Sequence, residues 1–242
     1  MLLHVDVPMP REPALPAALA LPDRLARRAG VVVVHEAYGL DDDIRRIASR
    51  FAAVGYPTLA PDFFAGLGPT PLCIARFLRS VARGTGGRAY RRLDAARSWL
   101  AARDEVAGGP IGVAGFCMGG GFALLYAASG SDVTVVAPFY AAVPADEGAL
   151  TGVCPVVASY GGRDRVFGGH GRRLAAVLEQ LGVEHDVKTY PDAGHSFMSD
   201  HGGLTGWLGE RLPLHAAYHE PTAEDAWRRT VGFFDRHLAG TV

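Results

Sequence analysis

The run Val31-Val32-Val33-Val34, followed at once by His35 and Glu36, restricts the fold more than any other stretch of the chain. Four β-branched residues in succession leave no solvent-facing side, so this strand must be covered on both faces. Sheets covered on both faces are parallel ones, because the crossovers that join parallel strands supply the covering helices. From Val31 onward the chain keeps to that pattern. Asp41 to Asp43 offer N-caps for a helix whose apolar face is Ile44, Ile47, Ala48 and Phe51, ending near Gly55. A strand follows at Pro57 to Ala60, then a short helix around Ile74 to Val81 and a longer one from Ala89 to Arg103. Next come strand Ile111 to Gly115, helix Gly120 to Ala128, and strands Val133 to Phe139 and Val153 to Ser159. Helix Gly171 to Leu181, strand Val183 to Tyr190 and a final helix, Ala223 to His237, complete the series. Thr222 and Asp225 are spaced like a capping box at the start of that last helix.

This alternation predicts an α/β fold, a mostly parallel sheet with helices on both faces, built as one domain over residues 1–242. Residues 1–30 read as a short strand, Leu2 to Val7, and then a Pro/Ala-rich surface segment. Residues 199–222 read as a long histidine-rich loop able to close over a site as a lid. In such sheets functional groups gather beyond the carboxyl ends of the strands.

A formal net charge of −1 gives no electrostatic footprint for nucleic acid or an anionic membrane. No apolar stretch approaches the ~18 residues needed to span a bilayer, and the proline-broken N-terminus is a poor signal peptide. The three cysteines, Cys73, Cys117 and Cys154, form no disulfide framework or zinc-site spacing. A cytoplasmic protein, monomeric or a small homo-oligomer, with no cofactor and no metal, is the expectation. His215 and His219 lie four apart, but the prolines around them (Pro213, Pro221) favour a surface loop over a metal site.

Three loops carry the chemistry. Gly115-Phe116-Cys117-Met118-Gly119 matches the nucleophile-elbow pattern G-x-S-x-G with cysteine in place of serine. Its glycines allow a sharp strand-to-helix turn, and the helix that follows aims its N-terminal N–H groups at the nucleophile. Gly161-Gly162-Arg163-Asp164 and Ala193-Gly194-His195 each end a strand with an acid or a base. Cys117, Asp164 and His195 thus stand in the nucleophile–acid–base order of α/β-hydrolases. Glu36, in the loop after the valine strand, is expected to face Cys117, and a carboxylate there would share a proton with the thiol. Oxyanion donors are expected from the N–H of Met118 and of Ala37. His35 reads as a packed, hydrogen-bonded histidine, since Gly39 defeats an H-E-x-x-H motif.

The stretches HEAYG, GFCMGGG, GGRD and AGHSF, in this order, resemble the dienelactone hydrolase family. The resemblance implies an α/β-hydrolase fold and hydrolysis of a small lactone or ester. It also implies Cys117, Asp164 and His195 as the triad, with Glu36 controlling the protonation of the thiol. Members specific for dienelactone hold the substrate carboxylate with arginines, one just beyond the catalytic histidine. Here Ser196, Phe197, Met198, Ser199 and Asp200 follow His195, and no arginine comes before Arg211. For the other arginine, Arg76, Arg79 and Arg83 are candidates, Arg76 being nearest by spacing. Tyr38 and Phe197 are further expected substrate contacts. The competing reading is a non-catalytic thiol-sensing or ligand-binding protein on the same fold.

Overall fold

The computed structural model describes residues 1–25, 27–68, 70–83, 87–200 and 213–239. Eight strands form one sheet in the order β1-β2-β4-β3-β5-β6-β7-β8. They are β1 (Leu2–Val7), β2 (Leu15–Ala20), β3 (Gly30–Val34), β4 (Thr58–Pro61), β5 (Ile111–Phe116), β6 (Val135–Phe139), β7 (Val156–Gly161) and β8 (His185–Tyr190). β2 runs antiparallel to both β1 and β4, and the remaining pairings are parallel. The helices are α1 (Asp42–Ala53), α2 (Thr70–Arg83), α3 (Gly87–Ala101), α4 (Met118–Ala127), α5 (His170–Gln180) and α6 (Glu220–Leu238).

The valine run is divided between two cores. Val32 and Val34 pack with Leu93 and Leu100 of α3, Phe122 of α4 and Leu174 of α5. Val31 and Val33 point the other way, among Ile44 and Phe51 of α1 and Phe233 and Phe234 of α6. All four are fully buried, as the lack of any polar position required. α1 is set by its sequence: the Asp41 carboxylate accepts from the Ile44 N–H at 2.9 Å, and Asp42 and Asp43 occupy the positive end of the helix. α4 has no polar face, and each of its ten residues is buried between the sheet and α2.

Two expectations are corrected. The Pro/Ala-rich lead-in contains a buried strand, β2, paired on both sides. Alanines have little intrinsic strand preference, and it is the neighbouring strands on either side that hold this segment extended. Pro16, lacking an N–H, sits near the strand's start, opposite Asp6 of β1, and its carbonyl accepts from the Asp62 N–H at 2.8 Å. At the other end, α6 begins at Glu220 with His219 as its cap, so Thr222 and Asp225 lie inside the helix and form no capping box. Pro221 is accommodated in the first turn, where its missing N–H costs nothing. Of the expected lid, 201–212 lie outside the described residues, 213–219 are irregular, and 220–222 belong to α6.

Candidate active site

Five loops converge beyond the carboxyl ends of β3, β5, β6, β7 and β8. At the end of β5 the chain turns into α4 through a single residue, Cys117, with φ 54° and ψ −119°. An L-residue held there stores on the order of 1–3 kcal/mol of strain, characteristic of functional positions. The turn is tight enough to exclude side chains on both flanks. A Cβ on Gly115 would lie 2.4 Å from the Gly119 carbonyl oxygen, and one on Gly119 would lie 2.5 Å from that of His35. The second contact also shows that the His35–Glu36–Ala37 loop lies directly against the start of α4.

The Cys117 sulfur lies beside the His195 imidazole, near enough to raise its pKa. On the far side of the ring, Nδ1–H donates to Asp164 Oδ2 at 2.7 Å. Asp164 is itself fixed, since its Oδ1 accepts from the N–H groups of Val166 (2.8 Å) and Phe167 (2.9 Å). Asp164 and His195 are buried, whereas Cys117 is half-buried. Burial acts against the imidazolium, but the bond to Asp164 and the neighbouring Cys117 outweigh it and raise the His195 pKa to about 10. The protonated ring is therefore the favoured form at neutral pH. The base is anchored from behind: its N–H donates to Leu214 O at 2.8 Å, and its carbonyl accepts from Ala217 N–H at 3.2 Å. Residues 213–219 thus clasp the histidine loop.

Glu36 is buried, and Ser196, with φ 54°, donates to its Oε2 at 3.2 Å. Tyr38 and Tyr140 each have their pKa raised, first by burial and then by Glu36 and Cys117, which places carboxylate and thiol in one neighbourhood. His35 is a neutral scaffold. Its Nε2 accepts from Phe63 N–H at 3.0 Å, Nδ1–H donates to the Glu36 carbonyl at 2.8 Å, and burial depresses its pKa. It ties the β4 loop to the β3 loop.

Met118 is the first residue of α4, so its N–H has no intrahelical partner. Ala37 is half-buried at the adjoining loop. Tyr38 is exposed; Arg76 is exposed on α2, where its guanidinium donates to Leu67 O at 3.4 Å. Phe197 is fully buried between the rings of Tyr140 and Tyr190. Among the residues just beyond His195, where the resemblance leads one to look for an arginine, Ser199 is buried and hydrogen-bonded to the Tyr140 hydroxyl at 3.1 Å.

Sequence reasoning passed over Ser196, Tyr140 and Phe167. Tyr140 directly follows an apolar strand, which was the available signal; Phe167 is placed only by the turn after Asp164. Among the described residues no group of three or more His, Cys, Asp or Glu side chains is disposed to hold a metal ion. None of the described helices is long and apolar enough to cross a membrane.

Sheet order, elbow and strand-end loops are those of an α/β-hydrolase. The family model described as the dienelactone hydrolase family matches residues 15–238, and the chain belongs to that family. It is 29% identical over 222 residues to a carboxymethylenebutenolidase of Rhodococcus opacus, covering 86% of this chain and 81% of that protein. Among solved structures it resembles a dienelactone hydrolase-like promiscuous phosphotriesterase from metagenomic libraries, at TM-score 0.82, 24% identity and 98% coverage of both chains. A dienelactone hydrolase from Anabaena variabilis superposes at TM-score 0.67, with 20% identity and 98% coverage of both chains. These two likenesses concern the fold.

Proposed function

We propose that the protein hydrolyses small lactones or esters through a thioester acyl-enzyme, with Cys117 as nucleophile. The observation that carries this reading is the buried His195–Asp164 pair set beside a strained elbow cysteine, Cys117. The sulfur attacks the substrate carbonyl, forming the C–S bond while the carbonyl π pair moves to oxygen. The resulting oxyanion accepts from the N–H groups of Met118 and Ala37, each such donor being worth roughly 3 kcal/mol of barrier. Collapse breaks the C–O bond, and the alkoxide takes the proton held on His195. His195 then removes a proton from water, hydroxide adds to the thioester, and the thiolate departs, leaving acid and free enzyme. Asp164 keeps the Nδ1–H tautomer and stabilises the imidazolium throughout. Glu36, bonded by Ser196, governs the proton shared with the thiol. Tyr38 and Arg76 are assigned to the substrate side of this reading, whereas Phe197, fully buried between Tyr140 and Tyr190, supports the site from within.

A panel of small esters and lactones, run with wild type and Cys117→Ser, tests it. Wild-type turnover accompanied by a thioester adduct on Cys117 in mass spectrometry is the expected result. If no ester or lactone is cleaved while Cys117 oxidises readily, the reading gives way to a thiol sensor.

A further inference from the structure

The mechanism gives His195 its charge through Asp164 and Cys117, yet two aromatic rings also lie against the imidazole. Tyr140, at the end of β6, brings its ring centroid to 4.9 Å from that of His195, tilted by 55°. Phe167, from the turn between β7 and α5, reaches 5.3 Å at a tilt of 39°. Both distances lie within the range over which an aromatic quadrupole attracts a cation. We propose that Tyr140 and Phe167 are positioning residues: an aromatic bracket that holds the His195 ring and stabilises its charged form.

Each ring is held in place by its own contacts. Tyr140 is fully buried with φ 41°, its N–H donates to Ser159 O at 2.7 Å, and its hydroxyl bonds Ser199. A tyrosine kept in the left-handed region is a local cost of the kind found where surrounding structure fixes a side chain for use. Phe167 is fixed by its own N–H, which donates to Asp164 Oδ1, so the turn that positions the acid also delivers the ring. Its other side meets the His170 ring at 5.6 Å. Burial and the proximity of Glu36 push the Tyr140 phenol far above its ordinary pKa, so it stays neutral across the working range.

The ionisable groups facing His195 are few enough to separate. Asp164 bonds it directly, Cys117 stands beside it, Glu36 lies behind Ser196, His170 stands beyond Phe167, and His215 is on the segment packed against Gly194. None of these is removed by changing either ring. An attraction of 0.5–1 kcal/mol per ring corresponds to about half a pH unit.

The test is the titration of His195, followed by NMR of ¹³C-labelled histidine in the intact protein. Phe167 is half-buried, so Phe167→Leu keeps the bulk and removes the π face without emptying the core. The expected result is a downward shift of the His195 midpoint by about half a pH unit from its raised value of about 10. Phe167→Tyr should restore it, and Tyr140→Phe, which keeps the ring, should stay near wild type. An unmoved midpoint in a folded Phe167→Leu, or a shift that Phe167→Tyr does not rescue, overturns the bracket. The readout needs no substrate, so it stands even if the hydrolase reading fails.

Discussion

Gly119→Ala probes how closely the two halves of the site are joined. Gly119 lies in the first turn of α4, and a Cβ there would meet His35 O at 2.5 Å and Val34 O at 2.6 Å. Ordinary contact begins at 3.4 Å, so the shortfall is about 0.9 Å, and the obstructing atoms are backbone. Two effects oppose each other in stability. Alanine improves helix propensity by up to about 1 kcal/mol, whereas overpacking costs about 1–3 kcal/mol, so a net loss near 1 kcal/mol is expected. The effect on turnover should be larger. Pushing the His35–Ala37 loop away from Met118 by nearly 1 Å would separate the two N–H groups proposed as oxyanion donors, and a misplacement of that size costs about 100-fold in rate. The assay is kcat/KM on a small neutral ester, alongside thermal unfolding. Gly232→Ala in α6 is the control: beyond its chain neighbours and its own helix backbone nothing lies within 4 Å of the added Cβ, so it should gain about 0.5–1 kcal/mol with unchanged turnover. If Gly119→Ala keeps turnover within about threefold of wild type, the contact between elbow and loop does not set the geometry.

Two further substitutions test what supports the site. Arg229 of α6 donates to Asp186, Ser159 Oγ and Tyr190, joining β7 and β8 beneath the acid and base. Arg229→Met should lower the denaturation free energy by about 2 kcal/mol, because the buried Ser159 hydroxyl loses a partner; a loss below about 0.5 kcal/mol would contradict this. At the other end of α6, Asp235 joins Arg27 and accepts from Tyr56 OH at 2.6 Å. Burial raises the Asp235 pKa, but its bonds to Arg27 and Tyr56 more than reverse that, so the folded value is depressed. The carboxylate's contribution is therefore complete above the unfolded value near 4 and is lost as pH falls through the depressed folded value. Asp235→Asn should cost about 1 kcal/mol at neutral pH, with the gap from wild type closing in acid urea titrations. A gap that stays constant as the pH is lowered refutes the assignment.

Much of the fold was legible because its signals are local. The α1 cap, its apolar stripe and the apolar strands depend on neighbours in sequence, and the expected elements match the observed ones to within a few residues. β2 was not legible, because what makes LPAALA a strand is the pairing on either side of it. The cap of α6 failed for a related reason. The 213–219 segment is fixed by bonds to the histidine loop, and those bonds decide where the helix begins. In the site, glycine spacing and strand ends pointed to Cys117, Asp164 and His195, residues 47 and 31 positions apart in the chain. Ser196 on Glu36 and the rings around His195 are contacts between loops, and no periodicity encodes them.

The sequence alone determined that β3 is buried on both faces, that a thiol sits on a glycine-flanked elbow, and that an acid and a base follow later strands. These follow from side-chain size, β-branching and the space glycine leaves, which are properties of residues taken in order. Only the tertiary structure decided that the imidazole is held charged by Asp164 and Cys117 at a pKa of about 10. It alone decided that His35 is neutral scaffold while Glu36, the next residue, is turned toward the thiol's surroundings. Charge state depends on burial and on partners brought from distant strands, and both exist only once the sheet has formed.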